Sequence, residues 1–271
     1  LAYLNMAGNT IAHEGASHLG EAVSRCSALT RLELGRNDLL NEGAGQLAAA
    51  LPNCPALQYL DLSENGIGVE GAANIAGMLT KCRQLSALCL GKNSISDHGC
   101  SFLSMALPRC PALTCLGLQS NAIGPRGCAK LASVLPICAV SALNLAENSV
   151  KDEGASQLAS ALGKRQRPMQ SLKLCANAVG PAGAIAISAA VLEFGNVIEL
   201  GLAMNQIDNS AADALGKVVR ECRIIERLDL RGNCFEEAVR EQLKNPRAGM
   251  TPLSIIADFD HLVGAELDVM L

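Results

Sequence analysis

One stretch decides the organisation of the chain: residues 57–84, which read LQYLDLSENGIGVEGAANIAGMLTKCRQ. Leucines alternate with polar residues just before Asn65, and this two-residue period is typical of a short strand. After Asn65, Ile75 and Leu79 lie four residues apart, as they do on one face of a helix. The stretch therefore predicts one strand followed by one helix.

The same pattern recurs along the whole chain at a period of about 28 residues, which indicates a solenoid. The Asn that follows each predicted strand defines the nine repeats: Asn9, Asn37, Asn65, Asn93, Asn121, Asn148, Asn177, Asn205 and Asn233. In the first eight repeats, the positions seven and eleven residues after the Asn hold only Ala, Cys, Ser or Gly. Small residues one helical turn apart let neighbouring helices lie close together. We interpret the chain as having essentially one type of repeat.

Stacking one strand and one helix per repeat determines the expected shape. Neighbouring parallel strands lie about 4.8 Å apart, whereas helices are about 10 Å across, so the helical side must splay outward. The sequence predicts an α/β horseshoe solenoid with parallel strands on the concave face and helices on the convex face. Each repeat buries its apolar face against its neighbours, so stability arises from stacking.

The two ends differ from the middle of the chain. We assign nine repeats to residues 1–245, and a degenerate tenth strand with a C-terminal cap to residues 246–271. The residues that carry the tenth strand pattern are Met250, Leu253, Ile255 and Asp258. The first strand pattern opens at Leu1 with no covering element, so we expect a preceding segment.

The repeat resembles a known family. The residues that carry the resemblance are Asn65, Ile67, Gly71, Ala72, Ile75, Ala76, Leu79 and Cys82. They are similar to the ribonuclease-inhibitor-like leucine-rich repeats of ribonuclease inhibitor, Ran GTPase-activating proteins and NOD-like receptors, and most similar to the receptor type. Ribonuclease inhibitor alternates two repeat types, so its particular function is not expected here. The resemblance implies a protein-binding surface that uses no cofactor.

Composition and motifs argue against several other functions. The net charge is −4 and the basic residues are scattered, unlike a nucleic-acid-binding stripe. No apolar run is long enough to insert into a membrane. The ligand spacing of a structural zinc site does not occur. Gly66, Gly68 and Gly71 have the spacing of a dinucleotide-binding turn, but no acid stands near position 91 to hold a ribose. We therefore expect no enzyme, metal, cofactor or small-molecule substrate.

Two columns of residues are predicted to be structural. The Asn side chains should bridge the backbone groups of successive turns as a buried ladder. A column at the helix-to-strand corner consists of Cys26, Cys54, Cys82, Cys110, Cys138 and Cys222. Helix spacing there exceeds the ~7 Å limit for a disulfide, which indicates free thiols in a reducing, cytoplasmic location. The chain also has no Asn-x-Ser/Thr glycosylation signal.

The concave face is the candidate partner-binding surface, because alternate strand side chains point into the horseshoe. At its N-terminal end, Tyr3, Arg31 and Tyr59 occupy equivalent positions in three consecutive repeats. The N-terminal patch consists of Tyr3, Arg31, Glu33, Tyr59 and Asp61. A C-terminal patch consists of Glu199, Arg227, Asp229 and Arg231. The basic loop with Lys164, Arg165 and Arg167 is interpreted as a solvated surface feature.

These observations predict an intracellular module that binds a protein partner on its concave face, as part of a larger protein. Two alternatives remain. One is a GTPase regulator similar to Ran GTPase-activating protein, although no motif in the chain locates the active residues of that family. The other is a structural component of a large assembly.

Overall fold

A computed structural model describes residues 1–244 and 254–256 of the chain. The strands are β1 (Tyr3–Asn5), β2 (Arg31–Glu33), β3 (Tyr59–Asp61), β4 (Ala87–Cys89), β5 (Cys115–Gly117), β6 (Ala142–Asn144), β7 (Met169–Lys173), β8 (Val197–Gly201), β9 (Arg227–Asp229) and β10 (Ser254–Ile256). The α-helices are α1 (His13–Val23), α2 (Leu40–Ala50), α3 (Val69–Leu79), α4 (Ser96–Ala106), α5 (Pro125–Val134), α6 (Lys151–Leu162), α7 (Pro181–Phe194), α8 (Ala212–Glu221) and α9 (Glu237–Lys244). Short 3-10 helices occupy Leu51–Asn53, Leu107–Arg109 and Asn209–Ala211.

All strands of the described part form one parallel sheet of ten strands in chain order. Equivalent positions of neighbouring repeats are paired, for example Leu32 with Leu60 and Leu60 with Leu88. Consecutive helices pack against one another beside the sheet. The α/β solenoid of parallel strands and helices that the repeat predicts is confirmed.

The tenth strand begins later than the sequence pattern indicates. β10 pairs with β9 so that Ile255 lies opposite Leu228. The pattern places Leu253 at that position, so the observed register is shifted by two residues. A shift of two preserves the strand alternation, and the apolar pattern of one degenerate repeat cannot distinguish the two registers. The cap predicted within residues 246–271 lies outside the described residues and stays a prediction.

The core lies between the sheet and the helices and is aliphatic. Leu32 and Leu60 of the strands and Leu47 and Ile75 of the helices are fully buried. Small residues let the helices approach closely, as predicted. A Cβ added to Gly99 of α4 would lie 3.0 Å from the Cβ of Ala72 in α3.

The predicted Asn ladder is present. Nδ2 of Asn93 donates to the carbonyls of Leu62 in the preceding repeat and Leu90 in its own, both at 3.0 Å. Its Oδ1 accepts from the N–H groups of Asn65 and Ile67, also at 3.0 Å. One buried amide therefore satisfies backbone donors and acceptors of two successive turns.

Over the first seven repeats, the loops between strand and helix alternate between two forms, which corrects the interpretation that the chain has one type of repeat. In the second, fourth and sixth repeats, the residue three after the Asn is left-handed, with φ of 55° at Leu40, 57° at Ser96 and 56° at Lys151. In the first, third, fifth and seventh repeats the same position is extended and precedes the helix. Those residues are Ala12, Gly68, Gly124 and Gly180. The alternation ends in the eighth repeat, where the equivalent residue Asp208 is extended.

This alternation has a physical basis in how one repeat caps the next. Oδ1 of Asp97 accepts from the N–H groups of Gly124 at 2.6 Å and Gly127 at 2.9 Å, where α5 begins. Asn41 and Asp152 cap α3 and α7 in the same way. In the first, third, fifth and seventh repeats this position holds His13, Val69, Pro125 and Pro181. The residue types at this position therefore show the two-repeat period in the sequence.

The cysteine column at the helix-to-strand corner is buried over most of its length. Its buried members are Cys54, Cys82, Cys110, Cys138 and Cys222. Burial raises the pKa of Cys82 and of Cys110 to about 11. Cys26 is partly exposed, because it lies in the first described repeat.

Arg165 occupies this column in the sixth repeat, and its contacts correct the interpretation of the basic loop as a wholly solvated feature. Arg165 is half-buried. Its Nη1 donates to the carbonyl of Leu135, and its Nη2 donates to the carbonyl of Val140 at 2.8 Å. These carbonyls lie on either side of the corner where one residue is missing, and Arg165 satisfies the backbone there. Burial lowers the pKa of Arg165, whereas Lys164 and Arg167 are exposed.

The ladder makes a prediction about stability. We expect Asn93→Ala to lower the free energy of unfolding by about 1 to 3 kcal/mol, because buried backbone groups lose their hydrogen-bond partners. Urea denaturation followed by circular dichroism measures the change. Asn9→Ala is the matched control: Asn9 is exposed at the end of the ladder and should cost less than about 0.5 kcal/mol. Equal losses in the two variants would contradict the ladder as the source of stability.

The cysteine column makes a prediction about reactivity. In the native protein at pH 8, iodoacetamide should modify the exposed Cys234 first and leave Cys54, Cys82 and Cys110 intact, because buried thiols resist ionisation. Peptide mass spectrometry, with and without urea, identifies the modified positions. Rapid native modification of the three column thiols, or a disulfide between any two of them, would show that the column is not buried.

Candidate functional site

The N-terminal patch lies on the first three strands of the sheet. The strand register pairs Tyr3 with Arg31 and Arg31 with Tyr59. The Cζ atom of Arg31 lies 3.8 Å from the ring centroid of Tyr59 and 5.9 Å from that of Tyr3. Both distances are within the range of a cation–π interaction. The structure therefore brings together the three residues that the sequence placed in equivalent positions.

The acids of this patch are engaged in hydrogen bonds. Nε of Arg31 donates to Glu33, and this hydrogen bond raises the pKa of Arg31. Glu33 also accepts from Nδ2 of Asn5 at 2.7 Å. Oδ1 of Asp61 accepts from the N–H of Ser63 at 2.9 Å. The patch is thus a hydrogen-bonded network with one ion pair, between Arg31 and Glu33, and a second acid, Asp61, bonded to Ser63.

The two tyrosines differ in exposure. Tyr3 is 50% exposed, whereas Tyr59 is half-buried. Burial raises the pKa of Tyr59, and the thiol of Cys89, which donates to the Tyr59 hydroxyl at 3.3 Å, acts in the same direction. Tyr59 is therefore neutral near pH 7, and both tyrosines present an apolar ring with a polar end.

A second network, which the sequence analysis missed, lies beside this patch in the loops that follow β2, β3 and β4. Arg36 donates to Oε1 of Glu64 at 3.1 Å, and Nζ of Lys92 lies 3.4 Å from the same oxygen. Burial alone would raise the pKa of Glu64, but the bond from Arg36 and the charge of Lys92 lower it. These residues directly precede the Asn of their repeats. The alternation of positive, negative and positive side chains just before the Asn in three consecutive repeats could have indicated this network from the sequence.

The middle of the concave face is small and nearly neutral, as predicted from the residue types. Ala87, Cys115 and Ala142 line β4 to β6, and Cys89 is buried. The side chain of Gln119 packs against Gly91, which lies two residues after Cys89. A Cβ added to Gly91 would lie 2.2 Å from Nε2 of Gln119.

The C-terminal patch lies on β8, β9 and the loop after β9, apart from the N-terminal patch. Nη1 of Arg227 lies 3.5 Å from Oε1 of Glu199 across the two strands. Arg231 contacts both carboxylate oxygens of Asp229, at 3.0 and 2.8 Å. Five strand spacings of about 4.8 Å separate this patch from Tyr59. The structure therefore forms two distinct clusters from the predicted site residues.

Within residues 1–244 and 254–256, no group of His, Cys, Asp and Glu side chains has an arrangement that could hold a metal ion. Among the same residues, no helix is both long and apolar enough to cross a membrane.

Comparisons with known proteins bear on the repeat. A family model described as Leucine Rich repeat matches residues 53–76, 109–132 and 140–159. No curated protein matches the chain significantly. An internalin from Listeria monocytogenes is 16% identical with a TM-score of 0.41, and the match covers 93% of this chain and 87% of that one. The actin-binding site 2 of leiomodin-1 is 19% identical with a TM-score of 0.41, and covers 43% of this chain and 69% of that one.

The three segments that match the family model fall on the third, fifth and sixth repeats, and each includes a strand, its Asn and the start of a helix. The remaining repeats have the same strand and helix in the same sheet. The chain therefore contains leucine-rich repeats.

Proposed function

We propose that the chain is a protein-binding module that contacts its partner through the N-terminal patch on the concave face. The observation that carries this proposal is the position of Arg31 between the rings of Tyr3 and Tyr59. Tyr and Arg are the residue types most enriched in binding hot spots, because they bury much area and keep a polar end for orientation.

The contacts of the patch support this proposal. Arg31 is already held by Glu33 and by the two rings. A partner that docks on it therefore immobilises fewer freely rotating groups, which lowers the entropic cost of binding. Because Arg31 and Glu33 are paired with each other, the patch suits a partner that contributes apolar area and hydrogen bonds to the two rings.

We further propose that the module acts inside the cell, without a cofactor and without catalysing a reaction. Its free cysteines, most of them buried, and its lack of a glycosylation signal support a reducing location. The alternation of two repeat types supports a place in the ribonuclease-inhibitor-like class, because ribonuclease inhibitor also alternates two types. A relation to NOD-like receptors remains part of this proposal.

The partner-binding proposal predicts the effect of removing both rings. We expect Tyr3→Ala with Tyr59→Ala to weaken binding of a partner identified by co-purification and mass spectrometry by more than about 2 kcal/mol, roughly 30-fold. Isothermal titration calorimetry measures the affinity, and a melting curve checks the fold.

The matched control is Glu199→Ala with Arg227→Ala, which removes a cross-strand pair at the other end of the sheet. It should change the affinity less than twofold. An unchanged affinity in a folded Tyr3→Ala, Tyr59→Ala variant would exclude the N-terminal patch. A loss in the control variant alone would assign binding to the C-terminal patch instead.

A further inference from the structure

A separate surface lies away from the concave face, at the helix-to-strand corner of the fourth to sixth repeats. It contains a groove of about 350 Å³. The residues that line it include Pro108, Pro111, Pro136, Ile137, Arg165 and Arg167. The groove lies where the fifth repeat is one residue short and the sixth is one residue long, so it is specific to this pair of repeats.

The groove combines exposed apolar groups with positive charge. Ile137 on its wall is 71% exposed. Beyond the basic loop, the ring of Phe194 lies over Gly163 and is 44% exposed. Lys164 and Arg167 are exposed between these two apolar groups and take part in no ion pair within the described residues.

Arg165 gives this surface a fixed geometry. Its guanidinium bonds to the carbonyls of Leu135 and Val140 on either side of the shortened corner, and its Nε donates to the carbonyl of Arg167 at 3.3 Å. The loop is therefore anchored at its centre by Arg165, and the exposed side chains of Lys164 and Arg167 extend from a backbone that these hydrogen bonds fix in place. A preorganised charged surface binds with a smaller ordering cost than a loose loop does.

We propose that this corner groove is a second docking site, for an acidic peptide segment of a partner protein. The carboxylates of the segment pair with Lys164 and Arg167, and apolar side chains on either side of the acids contact Ile137 and Phe194. Charge complementarity selects this occupant, because Lys164 and Arg167 form no ion pair with an acid of the part of the chain that the structure describes. The nearby Glu193 takes part in no ion pair there either.

The repeat spacing sets the length of the segment. Ile137 and Phe194 are two repeats apart, which is roughly 10 to 20 Å for repeats spaced between the widths of a strand and a helix. An extended chain advances about 3.3 Å per residue. The two apolar side chains of the segment should therefore lie about three to six residues apart, with Asp or Glu between them.

The experiment screens a library of random twelve-residue peptides on the full chain. We expect enriched peptides to carry two apolar residues at this spacing with acids between them. An enriched peptide is then synthesised with a fluorescent label, and its affinity is measured by anisotropy. Raising the salt from 50 to 300 mM should weaken binding severalfold, because the contacts are between exposed charges.

Variants locate the site. Lys164→Glu with Arg167→Glu should weaken the enriched peptide at least tenfold, and Ile137→Ser should weaken it about fivefold or more. The matched control is Arg126→Glu with Lys130→Glu, which makes the same charge change on the exposed face of α5 and should alter affinity less than twofold. The Tyr3→Ala, Tyr59→Ala variant should bind the peptide normally, so this site and the concave site are tested independently.

Three kinds of result would overturn the proposal. The first is a failure of the peptide tests, either as a lack of acidic residues in the enriched peptides or as an equal loss of affinity in the control variant. The second is binding of phosphatidylserine vesicles that is abolished by Lys164→Glu with Arg167→Glu in the absence of peptide binding, which would assign the groove to a lipid surface. The third is tight binding of a synthetic peptide of residues 257–271, which contains four acids among apolar residues. That result would make the occupant the chain's own C-terminal segment.

Discussion

The interaction on which this solenoid depends is the bond from each repeated Asn side chain, from Asn37 to Asn233, to the backbone of two turns. A turn that leaves a strand and enters a helix carries N–H and C=O groups without regular partners, and burying them unpaired costs about 1 to 3 kcal/mol each. A single amide supplies two donors and an acceptor at this point. Asn121 is fully buried, and its Nδ2 donates to the carbonyl of Leu90 in the preceding repeat at 2.8 Å. Successive repeats can therefore stack without leaving these buried backbone groups unpaired.

The ladder also tolerates an unfavourable backbone conformation. The residue before the ladder Asn has a left-handed φ in each described repeat; it is Gly8 in the first repeat and the non-glycine residues Arg36, Glu64 and Lys92 in the next three. A non-glycine residue there costs about 1 to 2 kcal/mol. The hydrogen bonds of the neighbouring Asn offset this cost. Because this position is freed from glycine, it can carry charges, and Arg36, Glu64 and Lys92 form a network there.

Much of the fold could be predicted from the sequence, because stacking requires the same residue at the same offset. The ladder, the buried leucines and the small helix positions are all of this kind. The two loop forms were missed, because the contrast between Asp97 and Pro125 appears only when alternate repeats are compared. The register of β10 was misplaced by two residues, because a degenerate repeat offers no ladder Asn that fixes the position of its strand.

The candidate sites were predictable to a smaller extent. The strand period placed Tyr3, Arg31 and Tyr59 side by side, since equivalent positions must pair in a parallel sheet. It could not show that the acids of the patch are already bonded within the chain. Rotamers and charge pairing depend on side chains from several repeats, and spacing alone does not determine them.

The irregular repeats indicate where a regular solenoid acquires an individual surface. Where every repeat has the same length, the corner is closed by buried cysteines such as Cys82 and Cys110. A missing residue in one repeat leaves carbonyls that a thiol cannot satisfy, because a thiol is a weak donor with a single hydrogen. Arg165 satisfies them with two nitrogens. A buried thiol is neutral near pH 7, whereas a guanidinium stays protonated, so Arg165 introduces a permanent charge at the corner. The arginine that stands here in place of a column cysteine therefore satisfies the backbone of the shortened corner and also distinguishes this part of the surface from the other repeats.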